Sequence, residues 1–332
     1  MQNEYFTMPG QSSGKLSDFR NAGDYSPDNV LENERLEKSG ERWQFAFERG
    51  NALEAMCFDL THDTRTFFDR FFISEQDNEP PDEIGRIIAN RDVTEHEEKL
   101  KSLIVLNNPD KNGDQKRNAT YKKRHAYIDE CLAAPGKMPM SQTDYKILKE
   151  LSEKMADLQL PDWYPFAEKV GYVWERCLWQ EPIYWEREIR KRSELWRIKK
   201  KALCDNLLLA SGCAILMDIK YSATHDNAMR MMRSKYWLQG AHYQEGVSGK
   251  YSFGQVDIWN GTNLGALPML FVVGIGPEKG KPATATIKQV DDRDLEKCRE
   301  EYQRVSMAYH EWEKSGRLPV GRLEPKQVRI WI

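Results

Sequence analysis

The residues with the most capacity for chemistry lie in one short run, Ala214-Ile215-Leu216-Met217-Asp218-Ile219-Lys220-Tyr221-Ser222. Apolar residues lead into Asp218, one residue intervenes, and Lys220 follows. At the strand period of two, Asp218 and Lys220 project from one face and Ile219 from the other. An acid and an amine side by side at the end of a buried strand fit two readings. One is a plain surface ion pair, which is how a lone D-x-K triplet reads. The other is a divalent metal with a polarised water beside a cationic group. Two more acids lie upstream, Asp205 and Glu181. Convergence of such carboxylates suits Mg²⁺, which is usually held by one or two of them together with waters and a substrate phosphate. Bound in that way the ion lowers the pKa of a water and stabilises charge at phosphorus. A Lys two positions past the last acid is placed to hold an attacking hydroxide or to neutralise a pentavalent state.

These residues need a sheet to carry them, and the sequence pattern supplies one. From about Cys177 the period shortens, and 182–186, 194–209 and 213–221 read as three successive strands. Polar turns at 190–193 and at Ser211-Gly212 separate them, which predicts a β-meander. A helix is expected over 223–243, strands at 252–259, 269–274 and 283–290, and a long helix from Asp291-Asp292 to Lys314. The first half reads as helices. Residues 1–25 are rich in Ser, Gly, Asn and Gln and are expected to form a flexible lead-in. Ser26-Pro27 marks a helix start. Helical character continues to Glu48, and Gly50 is expected to punctuate before a second apolar-faced helix at 51–58. Ser141 opens an amphipathic helix with Tyr145, Leu148, Leu151 and Met155 on one face. Residues 75–125 read as helices joined by exposed loops, and 107–114 as a loop that lacks a complete calcium-ligand pattern. The expected organisation is a flexible segment at 1–25 and a single domain over 26–332, mostly helical at 26–175 and sheet-containing at 176–332. The fold class is α/β or α+β.

Composition narrows the class. The chain has 332 residues, 40% hydrophobic and 30% charged, with a mean hydropathy of -0.74. No stretch approaches the roughly 20 apolar residues that span a bilayer. The N-terminus has neither a basic n-region nor an apolar h-region, so no secretory signal is expected. Six scattered Cys without a C-x-x-C pair argue against a zinc ribbon and fit a reducing cytoplasm. A formal net charge of -3 is unlike a protein that coats nucleic acid, but an enzyme that grips it locally need not be basic overall. The basic residues are clumped between Arg187 and Lys201, eight against two acids. That run could track phosphates, with Trp196 stacking on a base, although alternate residues of a strand face away. The Phe residues at 67–72 and Trp174, Trp179 and Trp185 read as core.

The order of motifs resembles that of the PD-(D/E)XK nuclease superfamily, in particular its RecE-type (exonuclease VIII) phage and prophage branch. Glu181-x-x-x-Trp185 leads, then a basic segment ending in Asp205, then the apolar run into Asp218-Ile219-Lys220-Tyr221-Ser222. Tyr236-x-x-Gln239-x-x-x-Tyr243 is similar to the next helix of that branch. Gly50-x-Ala52-x-Glu54, with Phe67-Phe68 after it, is similar to its first helix, except that Glu54 stands where the family has His. His62, eight residues on, reads as an ordinary surface residue. The resemblance covers about residues 30 to 330. It implies a restriction-endonuclease-like core, a mixed central sheet flanked by helices with a helical region before it. It also implies a Mg²⁺-dependent exodeoxyribonuclease, with Mn²⁺ as a substitute, that resects linear duplex DNA 5′ to 3′ and leaves 3′ single-stranded tails.

By the same resemblance Glu181 orders metal-bound water, and Asp205 and Asp218 bridge the metal, with the Ile219 carbonyl and Glu54 as further ligands. Lys220 is the catalytic lysine, and Gln239 and Tyr243 belong to the helix that props the site and faces the DNA. The implied partners are duplex DNA ends, a single-strand annealing protein and further copies of the chain in a ring-like trimer or tetramer. No membrane is involved, and the implied setting is the cytoplasm of a bacterial host. Two alternatives stay open: a restriction- or defence-type endonuclease of the same fold, and a catalytically lapsed DNA- or protein-binding homologue.

Overall fold

In a computed structural model of the chain the described residues are 8–20, 27–38, 45–76, 87, 98–100, 126–162, 164, 168–191, 193–210, 213–250, 269–290, 292–316 and 330–331. The expected strand at 252–259 and the loop at 107–114 lie outside them. In chain order the elements are helices α1 (Ser13–Arg20), α2 (Pro27–Lys38), α3 (Phe45–His62) and α4 (Thr66–Arg70), then strands β1 (Phe71–Ser74) and β2 (Met138–Ser141). Helices α5 (Gln142–Ala156) and α6 (Val170–Trp174) follow, then strands β3 (Leu178–Lys191), β4 (Glu194–Ala210) and β5 (Cys213–Ser222). Helix α7 (His225–Met231) passes through a π-helical turn, Met232–Tyr236, into α8 (Trp237–Lys250). Strands β6 (Leu270–Ile275) and β7 (Thr284–Val290), helix α9 (Asp292–Ser315) and a short strand β8 (Ile330–Trp331) complete the order.

The central sheet runs β3-β4-β5-β6-β7, with β8 at its edge. Its pairings are antiparallel except for β5 beside β6, which are parallel. The protein is thus mixed α/β, a mostly antiparallel sheet flanked by helices, with the meander where the strand period put it. Strands β1 and β2 form a separate parallel pair.

Both faces of the sheet are covered. On one, Met217 and Ile219 of β5 and Leu270 and Val272 of β6 pack with Leu53 of α3 and with Leu148, Leu151 and Met155 of α5. On the other, Leu216 of β5 and Phe271 and Val273 of β6 pack with Ala228 and Met232 and with Tyr243 and Val247 of α8. The strand period of two produces this division, because neighbouring residues of a strand point to opposite faces. A third cluster joins α1, α8 and α9 through Leu16, Phe19, Trp237, Tyr302 and Tyr309.

Helix α5 begins where its sequence says it should: the Ser141 hydroxyl accepts the Asp144 N–H at 3.0 Å, a standard N-cap bond. Asp144 then receives the Arg49 guanidinium at 2.9 Å, which ties α5 to α3.

Three expectations are corrected. The lead-in is not wholly flexible: α1 buries Leu16 and Phe19, and Gln11 bridges to Lys200. Two anchored aromatic and aliphatic side chains are enough to hold a helix of that length to the third cluster. Helix α3 runs through Gly50 without a break. A mid-helix Gly costs about 1 kcal/mol relative to Ala, and burial of Ala52, Leu53, Ala55, Met56 and Cys57 just beyond it outweighs that. The helix after β5 extends to Lys250 and widens at the π turn. Among the described residues no helix is long and apolar enough to cross a membrane.

Candidate active site

The site is built where the sheet forks. β4 and β5 pair from Ala210–Cys213 up to Asn206–Met217. Beyond that point β4 stays with β3 and β5 with β6, so Asp205 and Asp218 are the first residues past the last shared rung. The two-residue alternation also breaks there. Cys204 and Leu207 of β4 both belong to the cluster under α8, and on β3 Trp179 packs toward α3 while Ile183 packs toward α8. Between Trp179 and Ile183 stands Gln180, with φ at +51°, a region that residues other than Gly, Asn and Asp rarely adopt. A single left-handed residue reverses which face the following side chains occupy.

Three carboxylates from three elements meet at this fork. Asp218 is 0% exposed, and its Oδ1 accepts the Gln239 amide from α8 at 2.7 Å. Its Oδ2 is in contact with the Lys220 ammonium. Asp205 Oδ2 accepts the Ile219 backbone N–H at 3.2 Å. Glu54 reaches in from α3, where its Oε1 accepts the Gln180 side-chain amide.

The electrostatics describe a crowded acidic centre with one ammonium. Burial pushes the Asp205 carboxyl well above the usual carboxylate range, and the charges of Asp218 and Glu54 push it further. The Asp218 carboxyl lies close enough to share a hydrogen bond with it. Burial raises Glu54 too; the Gln180 amide, Lys220 and Arg70 pull it partly back, and Asp218 pushes it up. For Lys220, burial works against the charged form, but Asp218, Asp205 and Tyr236 outweigh it and hold the ammonium above its ordinary range. The Lys220 Nζ also lies 5.3 Å from the centre of the Tyr236 ring, which stacks on Phe271 at 5.5 Å. Tyr236 is the last residue of the π turn, and such turns are frequent at functional sites.

Of the residues singled out from the sequence, Glu54, Asp205, Asp218, Lys220 and Gln239 come together here. Ile219 takes part through its N–H on Asp205, with its side chain turned into the opposite core. Glu181 is half-buried opposite Cys204 and is not among the charges that bear most on Glu54, Asp205 or Lys220. Tyr243 is buried in the cluster under the sheet, one turn beyond Gln239 on the covered side of α8. The site also recruits Gln180, Arg70 and Tyr236. No sequence signal marks Gln180, whose role comes from its backbone angle, while Tyr236 stands in the motif read around Gln239.

His62 stacks on Phe58 at 4.2 Å and meets Trp179 edge-on at 5.8 Å, so it is half-buried packing and not a surface residue. The basic run is likewise only partly outward. Lys200 is buried on Glu245 at 2.7 Å, and Trp196 is buried with Lys314 over its ring, which removes it as an open stacking platform. Trp185 packs its ring on Gly246 and donates its indole N–H to Glu245 at 3.2 Å.

Whether this centre suits a divalent cation turns on its donors. Two adjoining carboxylates, buried Asp218 and half-buried Asp205, with backbone beside them, are the hard oxygen set Mg²⁺ takes. Crowding of acids around a single ammonium is the charge imbalance a dication relieves. Among the described residues no group of three or more His, Cys, Asp or Glu side chains is arranged to hold a metal ion, so the fit rests on the Asp205–Asp218 pair.

No protein-family model matches the chain, and no curated protein matches it. Among solved structures, one described as "Crystal structure of SSO0001" is similar over 39% of this chain and 50% of its own, with 12% identity and a TM-score of 0.22. The chain therefore spans half of that protein's length, and a likeness this slight carries no argument about fold family or function.

Proposed function

We propose that the protein is a metal-dependent deoxyribonuclease of the PD-(D/E)XK type, acting as an exonuclease on ends of linear duplex DNA. The observation that carries the reading is the convergence at the sheet fork of Glu54, Asp205, Asp218 and Lys220, with Gln239 braced on Asp218. An ion pair that served only stability would not need two more half-buried acids pressed against it, since each charge drawn out of water without a partner opposes folding.

On this reading Asp205 and Asp218 hold a Mg²⁺ or Mn²⁺ ion, with the Ile219 carbonyl and Glu54 in support. Such an ion, when bound, supplies a polarised water and offsets charge at phosphorus. The Gln239 amide fixes the Asp218 carboxylate by occupying Oδ1. The Ile219 N–H does the same for Asp205. The Lys220 ammonium, kept protonated by Asp218 and Asp205, neutralises charge that develops on the phosphoryl oxygens. Tyr236 flanks it and restricts where Nζ can swing. The partners on this reading are duplex DNA ends and a single-strand annealing protein.

The test is digestion of linear and of closed circular duplex DNA with Mg²⁺ or Mn²⁺, by wild type and by Lys220→Ala. Loss of linear DNA by wild type only, with the circle spared, is the expected result. Digestion of the circle identifies an endonuclease of the same fold instead. No digestion by wild type with either metal, or equal digestion by both proteins, refutes the reading.

A further inference from the structure

We infer that Gln180 is a positioning residue of this site, holding the Glu54 carboxylate turned into the sheet fork. The inference rests on the metal-nuclease reading and deepens it. Glu54 is the one acid of the centre that comes from a helix and not from the sheet, so nothing in strand register fixes where its carboxylate points. What fixes it is the Gln180 side-chain amide, which donates to Glu54 Oε1. That amide is available only because of an unusual backbone. The register Trp179–Asn206 and Glu181–Cys204 puts Gln180 opposite Asp205, and φ of +51° at Gln180 turns its side chain toward α3 while Glu181 and Ile183 continue on the other face.

A glutamine in the left-handed region is strained where glycine would not be. A chain that needed only the turn would be served better by Gly or Asn. A carboxylamide on a long side chain, kept there against that strain, points to use of the amide. Its chemistry is apt: a neutral donor can orient a half-buried carboxylate and favour its ionised form, yet adds no positive charge to compete with a cation. The Gln180 bond is the largest of the effects that oppose the upward push of burial on Glu54. Glu54 adds its charge beside the Asp205–Asp218 pair, and loss of an outer-shell partner at a metal site typically costs about 10–100-fold in metal affinity or activity.

The experiment measures Mn²⁺ binding by electron paramagnetic resonance on the full chain, with the metal alone. It compares wild type, Gln180→Gly, Gln180→Asn, Glu54→Ala and the double variant Glu54→Ala with Gln180→Gly. Gln180→Gly keeps the left-handed backbone without strain, so its melting temperature is expected to stay within about 2 °C of wild type. Its Mn²⁺ affinity is expected to fall by about tenfold. Gln180→Asn, which tolerates the same backbone and retains an amide one methylene shorter, should fall between. In the Glu54→Ala background the Gln180→Gly change should have no further effect, an outcome that loss of local packing alone would not produce. Wild-type affinity in Gln180→Gly, or an undiminished effect of that change in the Glu54→Ala background, overturns the inference and leaves the nuclease reading standing. Absence of both Mn²⁺ binding and DNA digestion in wild type overturns the two together.

Discussion

Replacing Glu245 by Gln removes the charge at the centre of a buried network behind the fork. Glu245 Oε2 receives the Lys200 ammonium at 2.7 Å and the Trp185 indole N–H at 3.2 Å. The Tyr302 hydroxyl also donates to it, and Arg187 pairs with its Oε1. Burial alone would raise the Glu245 carboxyl, but Lys200, Arg187 and Tyr302 bring it from 4.5 down to about 2. Lys200 does not gain in the same measure. Complete burial draws it down to about 8, and Glu245 offsets this only in part. The asymmetry is physical, because the acid collects two cations and two further donors while the amine meets one carboxylate. The carboxylate's gain is therefore the better guide to what the substitution removes.

At about 1.4 kcal/mol for each tenfold change in proton affinity, a fall from 4.5 to about 2 corresponds to about 3 kcal/mol of stability. That agrees with the roughly 3–5 kcal/mol seen when one partner of a buried pair is deleted. Because the folded-state value is depressed, this stability is fully present above 4.5 and is lost as pH falls through about 2. Denaturant unfolding of wild type and Glu245→Gln should thus differ by about 3 kcal/mol at neutral pH, with the gap closing as the solution is acidified below 4.5. A difference under about 1 kcal/mol at neutral pH, or one that does not narrow in acid, refutes the reasoning.

Two further outcomes follow from the same region. His242 is held down to about 4 by burial and by Lys200, from an ordinary 6.5, and its Nε2 faces the Lys201 carbonyl at 2.9 Å, so the neutral ring carries its proton there. The unfolded chain takes up a proton at this residue before the folded one does. The His242 contribution to stability should therefore decline by about 3 kcal/mol as pH falls from 6.5 to about 4, read as the pH-dependent difference between wild type and His242→Gln in unfolding. Gly246 lies under the Trp185 ring, where an added Cβ would sit 2.7 Å from the nearest ring carbon. Gly246→Ala is accordingly expected to cost about 1–3 kcal/mol by overpacking, read in thermal unfolding; an unchanged melting temperature would show that β3 and α8 separate at no cost.

The parts of the fold that were legible in the sequence share a cause. Strand period and turn residues gave the meander, and the Ser141 cap and its apolar face gave α5, because those signals are local. Asp218 and Lys220 were legible for the same reason, two residues apart on one strand. Their company was less legible from spacing: Asp205 stood out only as an acid upstream of the triplet, and Glu54 arrives from a helix through tertiary packing. Glu181 and Gln180 make the point most clearly. A carboxylate in a motif attracts notice, whereas the residue beside it has an unremarkable amide, yet the backbone at Gln180 lies at +51° and gives that amide the contact with Glu54. An angle of this kind leaves no trace in composition or period unless the residue is Gly. The fork itself works in the same way. It exists because β4 leaves β5 after Asn206 to stay with β3, so the place where backbone pairing ends is also the place where three acids and one lysine can approach without a strand between them.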